Sequence, residues 1–175
     1  TLYVKRGNKP VEYIPLYIGA GKTTFKDGKI YRNGTAITIK SAPYNAAKNR
    51  TETRKEILAL KSKDINTLKP DSPQPIWFYE LCDKLGIYVV ERAAINPVSK
   101  SSDRAVGGTP SNNPQLLGEY LDRIKGMYYR TRNHSCIIAY TLGGEKAGNG
   151  YCMYKAFQWL KSVEKERPVI CLSAE

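Results

Sequence analysis

Two acidic residues near the ends of apolar runs are the first candidates for chemistry. Glu91 directly follows the run Ile87–Val90, and Glu145 comes shortly after the buried-strand pattern Cys136–Leu142. A carboxyl group in such a place can act as a general acid or base, or as a metal ligand. Lys146 directly follows Glu145, and a nearby ammonium group lowers the pKa of a carboxyl. Glu145 is therefore a candidate carboxyl with a cationic neighbour that would favour its ionised form.

Metal-ligating residues are sparse in the chain. It has a single histidine, His134, and no Cys-x-x-Cys pair among its four cysteines. Cys82, Cys136 and Cys171 lie within apolar stretches, which favours small buried side chains over ligands. The glycines of 143–150 lack the Gly-Lys-Ser/Thr ending of a phosphate-binding loop. The sequence therefore predicts no metal and no cofactor.

The elements that must position these residues change in character near residue 40. Asp27-Gly28 and Asn33-Gly34 indicate hairpin turns, so residues 1–39 are predicted to be a β-rich segment. Beyond it, helical patterns alternate with apolar strands, which predicts βα units around a parallel sheet. The predicted helices span 51–62, 76–85, 116–131 and 151–163, and the predicted strands span 65–68, 87–90, 136–142 and 168–172.

Helix ends and one loop have their own signals. Thr51 or Thr53 is available as the N-cap of the first predicted helix. Gly86 directly follows the second predicted helix, where a glycine cap is expected. Residues 96–114 form a polar stretch rich in Ser and Pro, which indicates a long loop.

Several of these segments, in this order, resemble the catalytic domain of family 2 glycoside hydrolases, the β-galactosidase and β-glucuronidase type. Residues 78–90 resemble the helix and third barrel strand of that family, and 130–134 resemble its R-D-R-N-H-P run. The stretch 137–145, I-I-A-Y-T-L-G-G-E, resembles the fourth-strand signature I-I-W-S-L-G-N-E. Residues 159–169 resemble the approach to the fifth strand.

The resemblance implies an α/β fold of a particular kind. We expect a partial (β/α)8 TIM-barrel-like parallel sheet of about strands one to five over residues 40–175, preceded by the short β-segment of 1–39. A sugar site would lie at the C-terminal ends of the strands. The retaining mechanism of the family needs an acid/base and a nucleophile about 5–5.5 Å apart. Glu145 matches the acid/base, whereas the nucleophile follows strand seven and is absent from this chain.

The strand ends depart from the family pattern. Gly144 replaces an asparagine that binds the sugar 2-hydroxyl, and Arg92 replaces an acid of the D-E-A-N motif. After the second strand, 69–73 has no histidine where the family reads S-H-Y-P. The resemblance implies as candidate substrate-binding residues those that match the family's site by position, namely Asn45, Glu91, Tyr140 and Gly144.

These changes concentrate where function is expected while the scaffold pattern persists. The leading hypothesis is a degenerate, non-catalytic family 2-like domain that binds carbohydrate or serves as an interaction or sensor module. One alternative is a fragment of an active retaining β-galactosidase-type hydrolase, with further strands and the nucleophile encoded beyond residue 175. Five strands cannot close a barrel, so a protein partner or self-association is a further expectation at the open sheet edge.

The charge distribution supports a second alternative, a basic module that binds polyanions. The net charge is +12, and residues 1–63 hold 14 Lys and Arg against 4 Asp and Glu. No nucleic-acid-binding motif accompanies this excess, so nucleic acid is not an expected partner. No apolar run approaches the roughly 20 residues of a membrane helix. The chain begins with Thr1, which leaves open an upstream segment or leader and the compartment.

Overall fold

A computed structural model of the chain describes residues 2–15, 19–96, 105–144, 147–148 and 150–171. Its first part consists of two small antiparallel sheets. Strands β1 (Leu2–Arg6) and β2 (Lys9–Ile14) form a hairpin, and β3 (Thr23–Lys26), β4 (Lys29–Arg32) and β5 (Thr35–Ile37) form a meander.

The meander turns occur where the sequence predicts them. Asp27 and Gly28 have φ of 51° and 72°, and Asn33 and Gly34 have φ of 50° and 82°. Positive φ at both central residues matches the right-handed twist of a tight hairpin, and Asn, Asp and Gly tolerate that conformation best. The predicted Asp-Gly and Asn-Gly turns are therefore confirmed.

The rest of the chain alternates strand and helix around one parallel sheet, whose order β10-β9-β8-β7-β6 follows the chain. This confirms the predicted α/β class. Two short 3-10 helices, Pro110–Asn112 and Pro114–Leu116, precede the third α-helix. The strands are β6 (Ser41–Tyr44), β7 (Thr67–Pro70), β8 (Tyr88–Arg92), β9 (Ile137–Thr141) and β10 (Val169–Ile170), and the helices are α1 (Arg50–Ser62), α2 (Ile76–Leu85), α3 (Leu117–Thr131) and α4 (Tyr151–Val163).

The ends of α1 and α2 show how local chemistry sets the helix boundaries. The cap of α1 is Asn49, whose side chain accepts a hydrogen bond from the Glu52 amide. The prediction of Thr51 or Thr53 was wrong, because α1 begins at Arg50 and both threonines lie inside it. Gly86 ends α2 in the left-handed conformation, with φ of 63°, as predicted.

The helices cover one face of the sheet and leave the other less covered. Along β8, Val89 and Glu91 are buried, whereas Tyr88, Val90 and Arg92 are partly exposed. Val89 pairs with Leu68 on one side and Ile137 on the other, and all three belong to the main core. Successive strand residues point to opposite faces, so Arg92 points away from the helices. The helix side of the core also contains Ile57, Phe78, Tyr79, Ile124 and Leu160.

The two outer strands of this sheet are β6 and β10. Within the described ranges, neither pairs with a strand on its outer side. A parallel sheet of this kind has two free edges and one face that the helices cover less, whereas the sheet of a closed barrel has no free edge. The arrangement is that of a partial barrel, as the sequence predicts.

Candidate functional site

Parallel strands bring their C-terminal ends to one edge of the sheet, where the candidate residues were predicted. Asn45 directly follows β6 and is exposed. Arg92 is the last residue of β8, and its register partner Thr141 is the last of β9. Gly144 comes three residues after β9 and is buried. The edge therefore brings the ends of neighbouring strands together, as an active site in this class of sheet requires.

At this edge the Arg92 side chain lies in the space beside Gly144. A Cβ atom built on Gly144 would lie 1.9 Å from Nη2 of Arg92 and 2.8 Å from Oδ1 of Asn96. Nη2 donates a hydrogen bond of 2.5 Å to that same Asn96 oxygen. Gly144 lacks the side chain that would compete with the guanidinium. Arg92 and Gly144 both depart from the family pattern, and the Arg92 guanidinium fills the space that a side chain at position 144 would take.

The Arg92 guanidinium has unused hydrogen-bonding capacity. Its Nε is buried and has no hydrogen-bond partner. In the part of the chain that the structure describes, no carboxylate forms a salt bridge with Arg92. A guanidinium offers five N–H donors in a planar fork suited to oxyanions.

Glu91 lies on the other face, within the helix layer. Its side chain is 1% exposed, and Oε1 accepts a hydrogen bond of 2.9 Å from the Tyr79 hydroxyl. Oε2 is buried without a partner. Burial raises the pKa of Glu91 from 4.5 to about 7, although the Tyr79 hydrogen bond and the charge of Arg130 act in the opposite direction. Glu91 thus has no surface in this structure on which to contact a sugar.

Tyr140 is likewise enclosed between the sheet and the helices. It is fully buried, its ring centroid lies 5.7 Å from that of Tyr128, and the Arg167 guanidinium lies 4.9 Å from the ring. Burial raises the pKa of its hydroxyl well above the ordinary value. These contacts give Tyr140 a packing role and leave its part in substrate binding a prediction.

Glu145 and Lys146 lie outside the described residues, as does the stretch 97–104 of the predicted long loop. The acid/base assignment of Glu145 therefore remains a prediction from the resemblance. Gly144 is the last described residue before it.

His134 serves a structural connection between α2 and β9. Its Nδ1 lies 2.7 Å from Oδ2 of Asp83, while Oδ1 of Asp83 accepts hydrogen bonds from the Ser135 hydroxyl and the Cys136 amide. Burial alone would raise the pKa of Asp83, but the hydrogen bonds from His134, Cys136 and Ser135 outweigh it and leave that pKa below its usual value. The packing role expected for His134 fits this geometry, whereas Asp83 was not predicted, because its partner lies 51 residues away.

A cavity adjoins the strand ends on the side of α3. It has a volume of about 180 Å³ and is lined by polar and apolar side chains, among them Asn96, Glu119, Tyr120 and Arg123. The Tyr120 hydroxyl is buried and has no hydrogen-bond partner. Sequence reasoning missed this cavity, because it joins residues after β8 to the first turns of α3 across a long loop.

Metal binding has no support in the described ranges, where no group of three or more His, Cys, Asp or Glu side chains comes together. Cys82, Cys136 and Cys152 are buried thiols, and Cys171 is partly exposed. The helices within these ranges include none of the length and hydrophobicity that a bilayer crossing demands.

The fold defines a class of protein, a partial (β/α)8 barrel with one parallel sheet. Residues 46–175 match the model of the glycosyl hydrolases family 2 TIM barrel domain, so the chain belongs to that family. The predicted family and the predicted partial TIM-barrel fold are thereby confirmed.

Curated relatives are β-galactosidases of much greater length. The chain is 29% identical over 176 residues to the one from Vibrio cholerae, covering 91% of this chain and 16% of that protein. It is 31% identical over 166 residues to the one from Pectobacterium atrosepticum, covering 87% of this chain and 15% of that protein. The chain thus spans about a sixth of the length of these relatives.

Solved structures show the same fold at lower identity. A β-glucuronidase of Ruminococcus gnavus superposes with a TM-score of 0.77 at 17% identity, over 95% of this chain and 30% of that one. A β-glycosidase of Bacteroides vulgatus gives a TM-score of 0.75 at 22% identity, over 97% of this chain and 22% of that one. At these identities, the likeness concerns the fold alone.

Proposed function

We propose that this segment binds carbohydrate at the strand ends and is non-catalytic or nearly so. The observation that carries the proposal is the position of the Arg92 guanidinium in the space beside Gly144. The resemblance places there an asparagine that contacts the sugar 2-hydroxyl, a contact that strengthens in the transition state. Its loss removes transition-state stabilisation and leaves the strand-end surface for binding.

The charges near the predicted acid/base work in the same direction. A general acid for glycoside cleavage needs a raised pKa so that it carries a proton at neutral pH. Lys146 directly follows Glu145 in the chain, and Gly144 directly precedes Glu145. The Arg92 guanidinium lies beside Gly144. Neighbouring cations favour the ionised carboxylate, which cannot protonate a leaving group.

The experiment combines a binding and a turnover measurement on the folded chain. Calorimetric titration with galactose, glucuronic acid and short β-linked oligosaccharides is expected to show binding. An aryl β-galactoside and an aryl β-glucuronide are expected to remain uncleaved. Hydrolysis that Glu145→Gln abolishes would overturn the non-catalytic part of the proposal, and the absence of any sugar binding would overturn the rest.

A second candidate is part of an active β-galactosidase-type hydrolase. The names of the curated relatives favour it. In this proposal the longer protein supplies the nucleophile and the strands that pair with the free edges of β6 and β10. It predicts that a longer version of the chain with about 100 further residues hydrolyses aryl β-galactosides and loses that activity in Glu145→Gln.

Two further roles lead to different measurements. An interaction or sensor module would use the open edges of β6 and β10. Binding of a second copy there would make the molecular mass measured by sedimentation rise with protein concentration, and binding of a partner would raise it when that partner is added.

A basic polyanion-binding module would use the excess of positive charge in residues 1–63, and its affinity would fall steeply with salt concentration because bound counterions are released. A flat salt dependence would exclude the polyanion role.

A further inference from the structure

Another cavity lies at the N-terminal end of the sheet, opposite the strand-end site. Its volume is about 310 Å³, and small-molecule sites span about 300 to 1,000 Å³. It adjoins Ile137, the first residue of β9, and the C-terminal ends of α3 and α4. The meander contributes Thr23 and Arg32 to its lining. The cavity therefore lies where segments distant in the sequence meet.

The charged side chains around this cavity are mostly basic. Four Lys and Arg side chains and two carboxylates line it, and both carboxylates are already paired. Glu164 accepts a hydrogen bond of 2.8 Å from Nε of Arg167, and Glu166 lies 3.4 Å from Nζ of Lys22. Within the described ranges, the lining cations that pair with no carboxylate are Arg32, Arg132 and Lys165.

Two of these cations are held in place by their surroundings. Nη1 of Arg32 donates hydrogen bonds of 2.9 Å to the Gly21 carbonyl and to the Thr23 hydroxyl. A Cβ atom built on Gly21 would lie 1.8 Å from Nη2 of Arg32, so the glycine leaves that guanidinium its position. The Arg132 guanidinium lies 5.1 Å from the ring centroid of Tyr129, within the range of a cation–π contact. Groups that are ordered in advance lose less entropy when a ligand binds.

Carbonyl groups at the C-terminal ends of helices carry partial negative charge, which disfavours a bound anion. In this cavity, donors of the protein already bind several of them. The Val163 carbonyl accepts a hydrogen bond of 3.2 Å from the Tyr128 hydroxyl, and the Arg132 carbonyl accepts one of 3.3 Å from Nη1 of Arg167. Nζ of Lys165 also binds a helix carbonyl, at 2.9 Å. The guanidinium groups of Arg32 and Arg132 are therefore the cations best placed to contact a ligand.

We infer that this cavity binds a small ligand that carries a phosphate group, with Arg32 and Arg132 as its direct contacts. A phosphate group has a charge close to −2 at neutral pH and three or more acceptor oxygens, so it can bind guanidinium groups from two segments at once. A carboxylate has one negative charge and two oxygens, which a single guanidinium fork satisfies. The shared chemistry is the phosphate dianion, supplied by inorganic phosphate or by a phosphate ester. This site is separate from the proposed sugar site.

The test is calorimetric titration of the full chain with glycerol 3-phosphate, inorganic phosphate and acetate. Both phosphates are expected to bind at least about tenfold more tightly than acetate, since a second charged hydrogen-bonding pair contributes about that factor. Tighter binding of glycerol 3-phosphate would assign the site to an ester, and tighter binding of inorganic phosphate would assign it to the free anion. Arg132→Gln is expected to weaken phosphate binding about tenfold, and Arg132→Lys, which keeps the charge without the fork, is expected to weaken it less.

Two further variants separate this site from general attraction and from misfolding. Arg54→Gln makes the same charge change at an exposed position of α1 and is expected to leave phosphate binding unchanged. Arg32→Gln alters the cavity from the meander side and is expected to weaken phosphate binding as Arg132→Gln does. Circular dichroism melts confirm that each variant is folded, which matters most for Arg32 because it also binds the Gly21 carbonyl.

Three results would overturn the inference: no binding of either phosphate, acetate binding as tight as phosphate binding, or phosphate binding that both cavity variants leave intact. A loss in Arg54→Gln equal to that in Arg132→Gln would replace the site by nonspecific attraction. Because the cavity and the strand-end site lie at opposite ends of the sheet, Arg132→Gln is expected to leave galactose binding unchanged. Failure of either proposal is therefore measured separately from failure of the other.

Discussion

Glu91 is a buried carboxyl whose replacement by Gln is expected to stabilise the protein in a pH-dependent way. Glu91→Gln keeps an oxygen that can accept the hydrogen bond from the Tyr79 hydroxyl. It removes the charge that burial disfavours in the folded state. Oε2 has no partner in the native chain, and an amide in that place would be equally unpaired, so that cost is common to both.

The size of the effect follows from linkage between protonation and folding. Burial raises the pKa of Glu91 from 4.5 to about 7, which corresponds to about 3 kcal/mol of unfolding free energy. Because the folded-state pKa is the higher one, the folded protein holds the proton more tightly. The destabilisation is therefore absent below about pH 4.5, grows as the pH rises and is complete above about pH 7.

Urea denaturation at pH 5, 6, 7 and 8 measures this difference directly. Relative to the native chain, Glu91→Gln should gain about 2–3 kcal/mol between pH 5 and pH 8. Glu12→Gln, which makes the same change on the exposed strand β2, is the matched control and should show no such gain. A stability difference between Glu91→Gln and the native chain that does not vary with pH would refute the assigned burial of an ionisable Glu91.

Three further perturbations test other parts of the structure. Asp83→Asn should lower the unfolding free energy by about 1–3 kcal/mol at pH 7. Since the pKa of Asp83 is lowered in the folded state, this difference should shrink as the pH falls through that lowered value, which urea titrations at pH 3 to 7 would show. Gly144→Asn should destabilise the native chain but cost less in an Arg92→Ala background, with a coupling of at least about 1 kcal/mol in a double-mutant cycle; additive effects would contradict the shared space. A thiol reagent should label Cys171 first under native conditions and reach the buried Cys82, Cys136 and Cys152 only in urea, whereas simultaneous labelling would show that the core opens locally.

Local signals in the sequence were enough to predict most of the architecture. The Asp-Gly and Asn-Gly pairs fixed the meander turns, and Gly86 fixed the end of α2. Each of these depends on backbone preferences of one or two residues, which neighbours in space alter little. The pattern of β9 was equally clear, because all five of its residues are buried, and the apolar run that precedes Glu91 marked β8 although only alternate residues of that strand are buried.

The site was harder to predict, because side-chain direction depends on register and on contacts distant in sequence. Glu91 and Arg92 are adjacent in the chain, yet their side chains point to opposite faces of the sheet. The Glu91 side chain points toward the helices, and the Arg92 side chain points toward the less covered face. The pairing of Arg92 with the space at Gly144 spans 52 positions and leaves no trace in local composition. A family resemblance identifies the two substitutions separately, and only the coordinates show that they meet.

The contact between these two positions means that a change at one of them affects the other. A side chain at position 144 would require the Arg92 guanidinium to move, and removal of the Arg92 side chain would take away the hydrogen bond that Nη2 donates to Asn96. The two positions are therefore expected to be energetically coupled, which the double-mutant cycle measures. Coupling of that size would mean that the arginine at position 92 and the glycine at position 144 act as one packing unit, so that a change at either position has to be judged together with the other.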